Sequence, residues 1–432
     1  MALTGTSVIE INTSALAADT NGGAFDSTQA GSFGNDMTYG PYAAVVSGSA
    51  SSSNTTTVSA TWATSSMQGN AFYCPAIPAV GIITGVNPGV SFTLNAAIGT
   101  VSGTCYVGGP WKTLDYASTV TLANPNASPN VNVRSGTYTP SIPLVFSNTN
   151  SAPMLLGYYQ TRGDITPFAN QSQRPVVQNS SAIGNNYLCQ VGNTNNFGGA
   201  YFVIFDGGGL SNNLFTGSRG VVGCQFRNSS SLLQISAVFS EFINISNYVN
   251  GFCALCFFDG IAFFNLNGGQ CYSCILRGCT EASIQSGGND GYVENCSIYG
   301  GKAGSINSYT WGGVVSNSIF FGNGTPSSVG NGYNGNPYSI QQYTNASDVP
   351  ITGGTQVVPN ITLTANPWVN PTATITNWQE ATAAFALNNV AGGGALCRGA
   401  GTPANLDIGA VQSAAGGGGG GVPRIVVPRR IW

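Results

Sequence analysis

The stretch from Val107 to Leu144 decides the fold, and it reads VGGPWKTLDYASTVTLANPNASPNVNVRSGTYTPSIPL. Its opening, which ends near Ala117, has the apolar spacing of a short amphipathic helix. A link rich in Pro and Asn follows, and Val131 to Tyr138 then predicts a strand, a Gly turn and the start of a second strand. We therefore expect a helix and the first strands of the main β-structure here, with an appended domain before them.

The composition is typical of a β-protein with many tight turns. The 432 residues include 60 Gly, 21 Phe and 18 Tyr. Gly favours turns, whereas aromatic residues favour strands and supply apolar surface for a core. Charges are sparse, with 12 Lys and Arg, 15 Asp and Glu, no His and a net charge of −3. Nothing in this balance indicates nucleic acid as a bulk partner, and we predict none.

The sequence predicts no membrane insertion, no secretion signal and no cofactor. No window approaches the roughly 20 apolar residues of a membrane helix. The first 18 residues carry Glu10 and no basic residue. The Gly run at 207–209 lacks the Lys and Ser/Thr of a P-loop. We expect assembly in a reducing cytoplasm, in which the 11 cysteines are buried free thiols.

Residues 1–106 predict a small N-terminal β-rich domain with antiparallel strands. Runs that favour strands are separated at short spacing by Gly, Asn and Pro, which is typical of hairpins. The runs are Ser7–Ile11, Tyr42–Val46, Thr56–Trp62, Gly81–Val86, Ser91–Leu94 and Gly99–Val107.

Residues 107–325 predict a parallel β-solenoid. Short apolar runs that end near Asn, Gly or Ser recur, with starts roughly 14 to 22 residues apart. This spacing leaves no room for a crossover helix, so each strand would pair with the equivalent strand one coil later. An ordinary β-sandwich is the alternative. The runs are 201–207, 221–228, 241–247, 260–267, 274–279, 292–300 and 314–323.

The last two of these runs match each other in detail. Asn295 and Asn317 stand 22 positions apart. The Ser and Ile residues after them match with an offset of one residue, as in Ile298 and Ile319. We expect stacked apolar side chains in the interior and a hydrogen-bonded Asn ladder at the turns.

The period ends near residue 325, and two further regions follow. Residues 326–412 form a predicted closing segment, and residues 413–432 form a tail that begins with a flexible linker of six consecutive Gly. The ordered motifs of the closing segment are Asn366–Asn370, Ala384–Asn388, Ala391–Gly401 and Leu406–Gln412.

The tail ends in the basic and apolar peptide VPRIVVPRRIW. A disordered end is one interpretation. The other is a docking peptide that adds a strand to the edge of a partner's sheet and uses Trp as an anchor. The predicted docking residues are Arg424, Ile425, Val426, Val427, Arg429, Arg430 and Trp432.

The order of these motifs resembles the right-handed parallel β-helix family, in the form found in tailed phages and some bacterial genomes. The prefix Ala18–Asp26 reads ADTNGGAFD, the opening helix is similar to an N-terminal cap, and Leu406–Gln412 is similar to a terminal DIGAxQ motif. The resemblance spans nearly the whole chain. It implies an all-β fold: a right-handed parallel β-helix with an N-terminal cap helix, a small N-terminal β-domain and a flexible Gly-rich C-terminal tail.

Glycan-cleaving enzymes often have this fold, and hydrolysis needs two carboxylates roughly 5 to 9.5 Å apart. The candidate acids are Glu281, Asp290 and Glu294, because Asp290 and Glu294 flank one turn and Glu281 falls on a neighbouring coil. A solvated turn is the simpler interpretation. The chain lacks His, the motif sets of polygalacturonases and the Asp clusters of pectate lyases, so the resemblance to β-helix enzymes adds no catalytic residue.

Four cysteines have nearly the spacing of a zinc site. Cys253 and Cys256 are followed after 14 residues by Cys271 and Cys274, and Cys279 is near them. Phe and Tyr flank these residues, and the segment lies inside the repeat. Inward thiols explain the pattern equally well, so we predict no metal.

The resemblance implies a non-enzymatic virion structural protein of a tailed phage, as an appendage, fibre, spike or capsid decoration subunit. We expect assembly in the host cytoplasm, a homotrimer that protects its sheet edges, and contacts with other virion proteins and with host-surface glycans. Two alternatives stay open. One is a glycan depolymerase of the tailspike type, and the other is a bacterial cell-surface β-helix protein.

Overall fold

The structure, a computed structural model, divides the chain into two compact units. The first unit is Met1–Phe205 with Gly217–Arg219, and the second is Asp206–Thr216 with Gly220–Trp432. Strands dominate, helices are few, and many strands form long parallel sheets. The described residues are 8–13, 17, 19, 23, 47–53, 56–68, 71–74, 77–108, 110–123, 129–146, 154–180, 183, 187–191, 198–210, 214–216, 218–230, 232–246, 248–265, 270–280, 284–286, 291–301, 306–308, 313–323, 340–351, 354–402 and 406–412.

The first unit contains strands β1 to β14, helix α1 and two short 3-10 turns at Ser65–Met67 and Gln171–Gln173. Their bounds are β1 (Val8–Ile11), β2 (Ser47–Ser53), β3 (Thr57–Ser59), β4 (Ala71–Cys74), β5 (Ile77–Asn87), β6 (Ser91–Leu94), β7 (Thr100–Gly108), α1 (Leu114–Leu122), β8 (Asn130–Arg134), β9 (Thr137–Tyr138), β10 (Leu144–Phe146), β11 (Met154–Tyr158), β12 (Val176–Gln178), β13 (Cys189–Val191) and β14 (Gly199–Tyr201).

Six strands of the first unit form a closed antiparallel barrel in the order β2-β3-β6-β5-β4-β7. Alternate residues are buried, as Phe92 and Leu94 of β6 illustrate. The buried ring of Phe72 packs against Phe92 with centroids 5.8 Å apart. Closure pairs every strand on both sides, so the barrel has no free edge.

Sequence reasoning located most of this barrel. Four predicted runs, from Thr56 onward, overlap strands β3, β5, β6 and β7. It missed β2, whose sequence SGSASSS has no apolar alternation, and it missed β4. The predicted strand at Tyr42–Val46 lies outside the described residues. Strand β1 pairs in parallel with β8, with Ile9 opposite Val131, and so belongs to a parallel sheet and not to the barrel.

A parallel sheet of the first unit has the order β1-β8-β11-β14. Ile9, Val131 and Leu155 are in register on successive strands and are fully buried. Strand β9 pairs with β12 and strand β10 with β13, again in parallel. Period-two burial on strands that stack in register builds a continuous apolar interior.

Helix α1 lies next to the edge of this sheet. It begins after Thr113, whose hydroxyl oxygen accepts a hydrogen bond from Tyr116 N at 3.2 Å. Ala117 is among its buried residues, and the helix contacts β1 and β10. Trp111 forms a parallel bridge with Ile11. The predicted helix is therefore present, but it starts later than expected because the Thr113 cap fixes its first turn.

The second unit contains the remaining strands and helices, with β15 and β17 spanning the sequence boundary between the units. The bounds are β15 (Ile204–Asp206), β16 (Phe215–Thr216), β17 (Ser218–Val222), β18 (Gln225–Ser229), β19 (Leu232–Val238), β20 (Glu241–Ile245), β21 (Tyr248–Ala254), β22 (Phe257–Asp259), β23 (Phe263–Asn265), β24 (Gln270–Tyr272), β25 (Ile275–Arg277), β26 (Ile284–Ser286), β27 (Gly291–Glu294), β28 (Ser297–Tyr299), β29 (Ile306–Ser308), β30 (Gly313–Ser316), β31 (Ile319–Phe321), β32 (Ile340–Tyr343), β33 (Ala346–Ser347), β34 (Thr355–Gln356), β35 (Ile361–Thr362), α2 (Trp378–Ala384) and α3 (Gly394–Cys397).

Two long parallel sheets organise the second unit. Sheet one has the order β19-β21-β24-β27-β30-β32-β34, and sheet two has the order β18-β20-β22-β25-β28-β31-β33-β35. Strands β23, β26 and β29 form a shorter ladder beside β21. The middle residues of sheet two stack in the interior, where Phe242 lies between Phe226 and Phe258 with ring centroids 5.4 and 4.7 Å away. The chain alternates between the two sheets, so neighbours in a sheet are one repeat apart.

The register corrects one detail of the predicted repeat. Strand β28 pairs with β31 so that Ile298 lies opposite Phe320, which keeps the spacing of 22 residues throughout. The predicted offset of one residue is therefore wrong. Ser318 precedes its strand and occupies the place that Cys296 has one repeat earlier, and Cys296 N donates to Ser318 Oγ at 3.1 Å.

The first corner joins each sheet-one strand to the next sheet-two strand through a left-handed residue. Its φ lies between 43° and 61°. The side chain of the following residue donates a hydrogen bond to the carbonyl oxygen two positions back, with donor–acceptor distances of 2.9 to 3.7 Å. The left-handed residues are Gly223, Phe239, Leu255, Ser273, Asn295, Asn317 and Thr344. The donors are Cys224, Ser240, Cys256, Cys274, Cys296 and Ser318.

The second corner lies near the end of each sheet-two strand and is also left-handed. Its φ lies between 53° and 70°. Gly and Asn adopt this conformation at low cost, which accounts for part of the high Gly and Asn content. The residues are Asn228, Asn244, Gly260, Gly278, Gly300 and Gly322.

Residues 363–402 and 406–412, together called the cover below, pack on the outward side of sheet two. Trp368, Trp378 and Phe385 belong to one apolar cluster with Ile275 and Ile319. The middle residues of the sheet-two strands face the interior, so this cluster buries the opposite face of the sheet. The cover contains both α2 and α3, which have seven and four residues. Within the described residues, no helix has the length and apolar character that crossing a membrane requires.

Candidate functional site

Of the three predicted acids, the structure describes Glu294, whereas Glu281 and Asp290 lie outside the described residues. Glu294 ends β27 on the outward side of sheet one, in register with Tyr272 and Ser316 on the neighbouring strands. It is half-buried, and burial raises the pKa of its carboxyl above the ordinary value. A carboxyl with a raised pKa suits a general acid, which is one half of a hydrolytic pair.

Three other carboxylates of the repeats have structural partners. Asp206 Oδ2 lies 2.7 Å from Arg227 Nε, and Asp259 forms an ion pair with Arg277. Glu241 is fully buried, and its Oε1 accepts a hydrogen bond at 2.8 Å from the first backbone N–H of helix α2. Two of these carboxylates join neighbouring strands, and the third holds the cover. Their geometry therefore gives each of them a structural role.

The four cysteines of the zinc-like pattern stack in consecutive repeats. Cys253 and Cys271 face the interior from neighbouring strands of sheet one, in register. Cys256 and Cys274 lie in the first corner, and their thiols donate to backbone carbonyl oxygens. Burial raises the pKa of all four thiols, which disfavours the thiolate that binds metals. Among the described residues, no group of three or more His, Cys, Asp or Glu is arranged to hold a metal ion.

The predicted docking residues Arg424, Ile425, Val426, Val427, Arg429, Arg430 and Trp432 lie outside the described residues. Docking by the tail therefore stays a prediction.

A polar groove that sequence reasoning missed opens at the second corner of the second unit. It has a volume of about 500 Å³. Among its lining residues are Gly208, Gly209, Asn228, Ser230, Asn244 and Ser246. A signal for it existed in the sequence, because Asn228 and Asn244 are 16 residues apart, which is one repeat.

The outward face of sheet one carries aromatic side chains. Phe252 and Tyr292 are half-buried, and the rings of Phe252 and Tyr272 have centroids 6.2 Å apart. Tyr343 lies on the same face, and its hydroxyl donates to Gln341 Oε1 at 2.8 Å. Aromatic faces with polar tips of this kind contact sugars by stacking and hydrogen bonding, and they equally suit packing between protein copies.

Neither a family model nor a curated protein nor a solved structure matches this chain.

Proposed function

We propose that the parallel sheets of each unit are the faces of a right-handed parallel β-helix, and that the protein is a non-enzymatic structural subunit of a tailed-phage virion. The subunit is an appendage, fibre, spike or capsid decoration that is assembled in the host cytoplasm. Two observations support the fold: strands stack in register, and the chain alternates between two sheets through repeated corners. The ordered motifs between residues 18 and 412, which resemble those of phage β-helix proteins, support the assignment to a virion.

The observation that carries the structural role is the use of the charged side chains in the second unit. Asp259 pairs with Arg277, and the same guanidinium donates to the carbonyl oxygen of Ala373 in the cover at 2.6 Å. Buried Glu241 holds the first turn of α2. A chain with few charges places several of them where they fasten the cover to sheet two. A displayed particle component needs this resistance to unfolding, because it operates outside the cell.

The partners belong to the same proposal. A homotrimer would bury flat sheet faces and protect sheet edges. The tail would dock on another virion protein through Arg424–Trp432. The aromatic face of sheet one and the polar groove are the surfaces through which host glycans would be contacted.

The non-enzymatic role is tested by incubating the purified protein with the capsular polysaccharide and the lipopolysaccharide of the host. The readout is the release of new reducing ends, with an active glycosidase on the same glycan as a positive control. We expect no release above buffer, for the wild type and for Glu294→Gln alike. Release by the wild type that Glu294→Gln abolishes would replace this proposal with the depolymerase.

The depolymerase is the second candidate because of one observation, the half-buried Glu294 with a raised pKa on an aromatic face. A retaining or inverting mechanism would need a second carboxylate within roughly 5 to 9.5 Å. The two residues in register beside Glu294 are Tyr272 and Ser316, and neither is an acid. Glu281 and Asp290 are the predicted candidates for the second acid, and Asp290→Asn is the variant that tests this pairing.

A further inference from the structure

We propose that the polar groove at the second corner is a binding site for a neutral saccharide. The inference rests on the proposed contact with host glycans and places that contact at a particular set of residues. Three features carry it: a rigid floor, amides that the backbone does not require, and a lining without formal charge.

The floor of the groove is built on a buried carboxylate. Asp206 is 7% exposed and accepts hydrogen bonds from Gly208 N at 2.9 Å, Asn228 Nδ2 at 3.2 Å and Arg227 Nε at 2.7 Å. Burial raises the pKa of Asp206, but these hydrogen bonds outweigh burial and the pKa is lowered overall. The carboxylate stays ionised, its charge is balanced by Arg227, and it fixes two lining residues before any ligand arrives.

Two amides line the groove one repeat apart. Arg227 lies opposite Ile243 on neighbouring strands, which brings Asn228 and Asn244 side by side at the spacing of about 4.8 Å between strands. Asn244 Nδ2 lies 3.4 Å from Asn228 Oδ1. Asn244 is exposed, and its amide offers both a donor and an acceptor, as sugar hydroxyl groups require.

The backbone does not require asparagine at these positions. The next four repeats have Gly at the same corner, with φ of 60° to 70°. Glycine adopts this conformation more easily than asparagine. The amides thus occur in the two repeats that line the groove, and glycine occurs in the four repeats that follow.

The chemistry of the lining selects the class of ligand. Among the described residues, those that line the groove are glycines, asparagines, serines and one apolar residue, Leu210, and none of these carries a charge. Amides and hydroxyls bind hydroxyl groups, and an apolar side chain packs on the C–H face of a sugar ring. The volume of about 500 Å³ falls within the range of small-molecule sites. A neutral saccharide meets these conditions, whereas a uronic acid would bring an unpaired charge.

The chain supplies its own variants for the test. Asn244→Gly removes one amide and installs the residue that the following repeats use. Gly300→Asn is the matched control, because it adds an amide at the same corner position away from the groove. A Cβ there meets no described residue within 4 Å. Both variants keep a residue that tolerates positive φ, so both should fold, and their melting curves check this.

Saturation-transfer NMR with glucose, galactose, rhamnose and N-acetylglucosamine at millimolar concentration measures binding, with glucuronate as the charged comparator. We expect transfer to at least one neutral sugar, weaker transfer to glucuronate, a loss of about fivefold in affinity for Asn244→Gly, and no loss for Gly300→Asn. Absence of transfer to every neutral sugar, or equal binding by Asn244→Gly and the wild type, would overturn the groove as the site. A failure of either kind leaves the virion assignment standing, because particle composition tests that assignment separately.

Discussion

The two corners of the second unit have the same backbone conformation and use different residues to hold it. At the first corner the left-handed position is occupied by Phe239, Leu255 and Ser273 among others, whereas the second corner changes from Asn to Gly after Asn244. A left-handed conformation costs an ordinary residue roughly 1–2 kcal/mol. The first corner tolerates this cost because the following Cys or Ser side chain bonds back to the backbone and the whole corner is packed. The second corner uses Asn and Gly, which carry little strain in this conformation.

This difference explains two features of the composition. Part of the high Gly content reflects corners that are set by backbone freedom. Four of the 11 cysteines, Cys224, Cys256, Cys274 and Cys296, occupy corners at which a buried thiol bonds to the backbone. Ser240 and Ser318 take the same place and make the same bond as the thiols of Cys256 and Cys274. A small side chain that can donate is therefore the requirement at the first corner.

Overfilling the first corner should have the largest effect. Cys274 is fully buried, and Cys274→Leu adds volume and removes the bond to Tyr272 O. We expect the free energy of unfolding to fall by about 3 kcal/mol, measured by urea denaturation. Cys274→Ser is the matched control and should change it by less than about 1 kcal/mol, because serine already serves at this position. Equal losses in the two variants would contradict the role given to the thiol.

The same substitution at the two corners should have different effects. Asn317 is 3% exposed, and its amide accepts from Thr402 N and donates to Thr402 O, both at 2.7 Å. We expect Asn317→Gly to lower the free energy of unfolding by about 2 kcal/mol, because two hydrogen bonds to the cover are lost. Asn244→Gly at the exposed corner should change it by less than about 0.5 kcal/mol. Similar values for both variants would remove the distinction between the corners.

Backbone strain alone is tested at Gly300. Its φ is 63°, and in the part of the chain that the structure describes a Cβ there meets no atom within 4 Å. Gly300→Val should lower the free energy of unfolding by about 1–2 kcal/mol, because a β-branched residue resists the left-handed region. Gly300→Asn should cost only a few tenths of a kcal/mol. Thermal melts of the two variants measure the difference in stability. If Gly300→Val is as stable as the wild type, the corner changes its backbone conformation to accept valine, and the strain argument is contradicted.

Alkaline pH should weaken the first corner. Burial raises the pKa of Cys256 and Cys274, which lie in this corner, above the ordinary value of 9.0. Above that pH the unfolded chain loses its thiol protons while the folded chain keeps them, so stability is complete below pH 9 and falls as pH rises further. Each such thiol contributes at most about 1.4 kcal/mol per pH unit. Urea midpoints on both sides of pH 9 measure this loss of stability, and Cys274→Ser should make the loss smaller. The same pH dependence in Cys274→Ser and the wild type would contradict the role given to this thiol.

Local patterns predicted the repeats well. The apolar runs, the opening helix and the equivalence of Asn295 with Asn317 follow from residues near each other in sequence. The position of the cover could not be predicted from local patterns. Glu241 contacts helix α2, which is 137 residues away in sequence. The first corner was hidden for another reason: Phe239 and Leu255 are apolar residues that the sequence pattern assigns to strands, although they turn the chain. The polar groove could not be predicted from sequence without knowledge of both corners and of the strand register.

Particle composition tests the central claim most directly. Virions of the phage that encodes the chain are purified through a density gradient and analysed by quantitative mass spectrometry across the particle peak. The proposed function predicts peptides from both units at a constant ratio to the major capsid protein, with a copy number divisible by three. Absence from the particles, together with recovery in the bacterial envelope, would contradict it and favour a cell-surface protein.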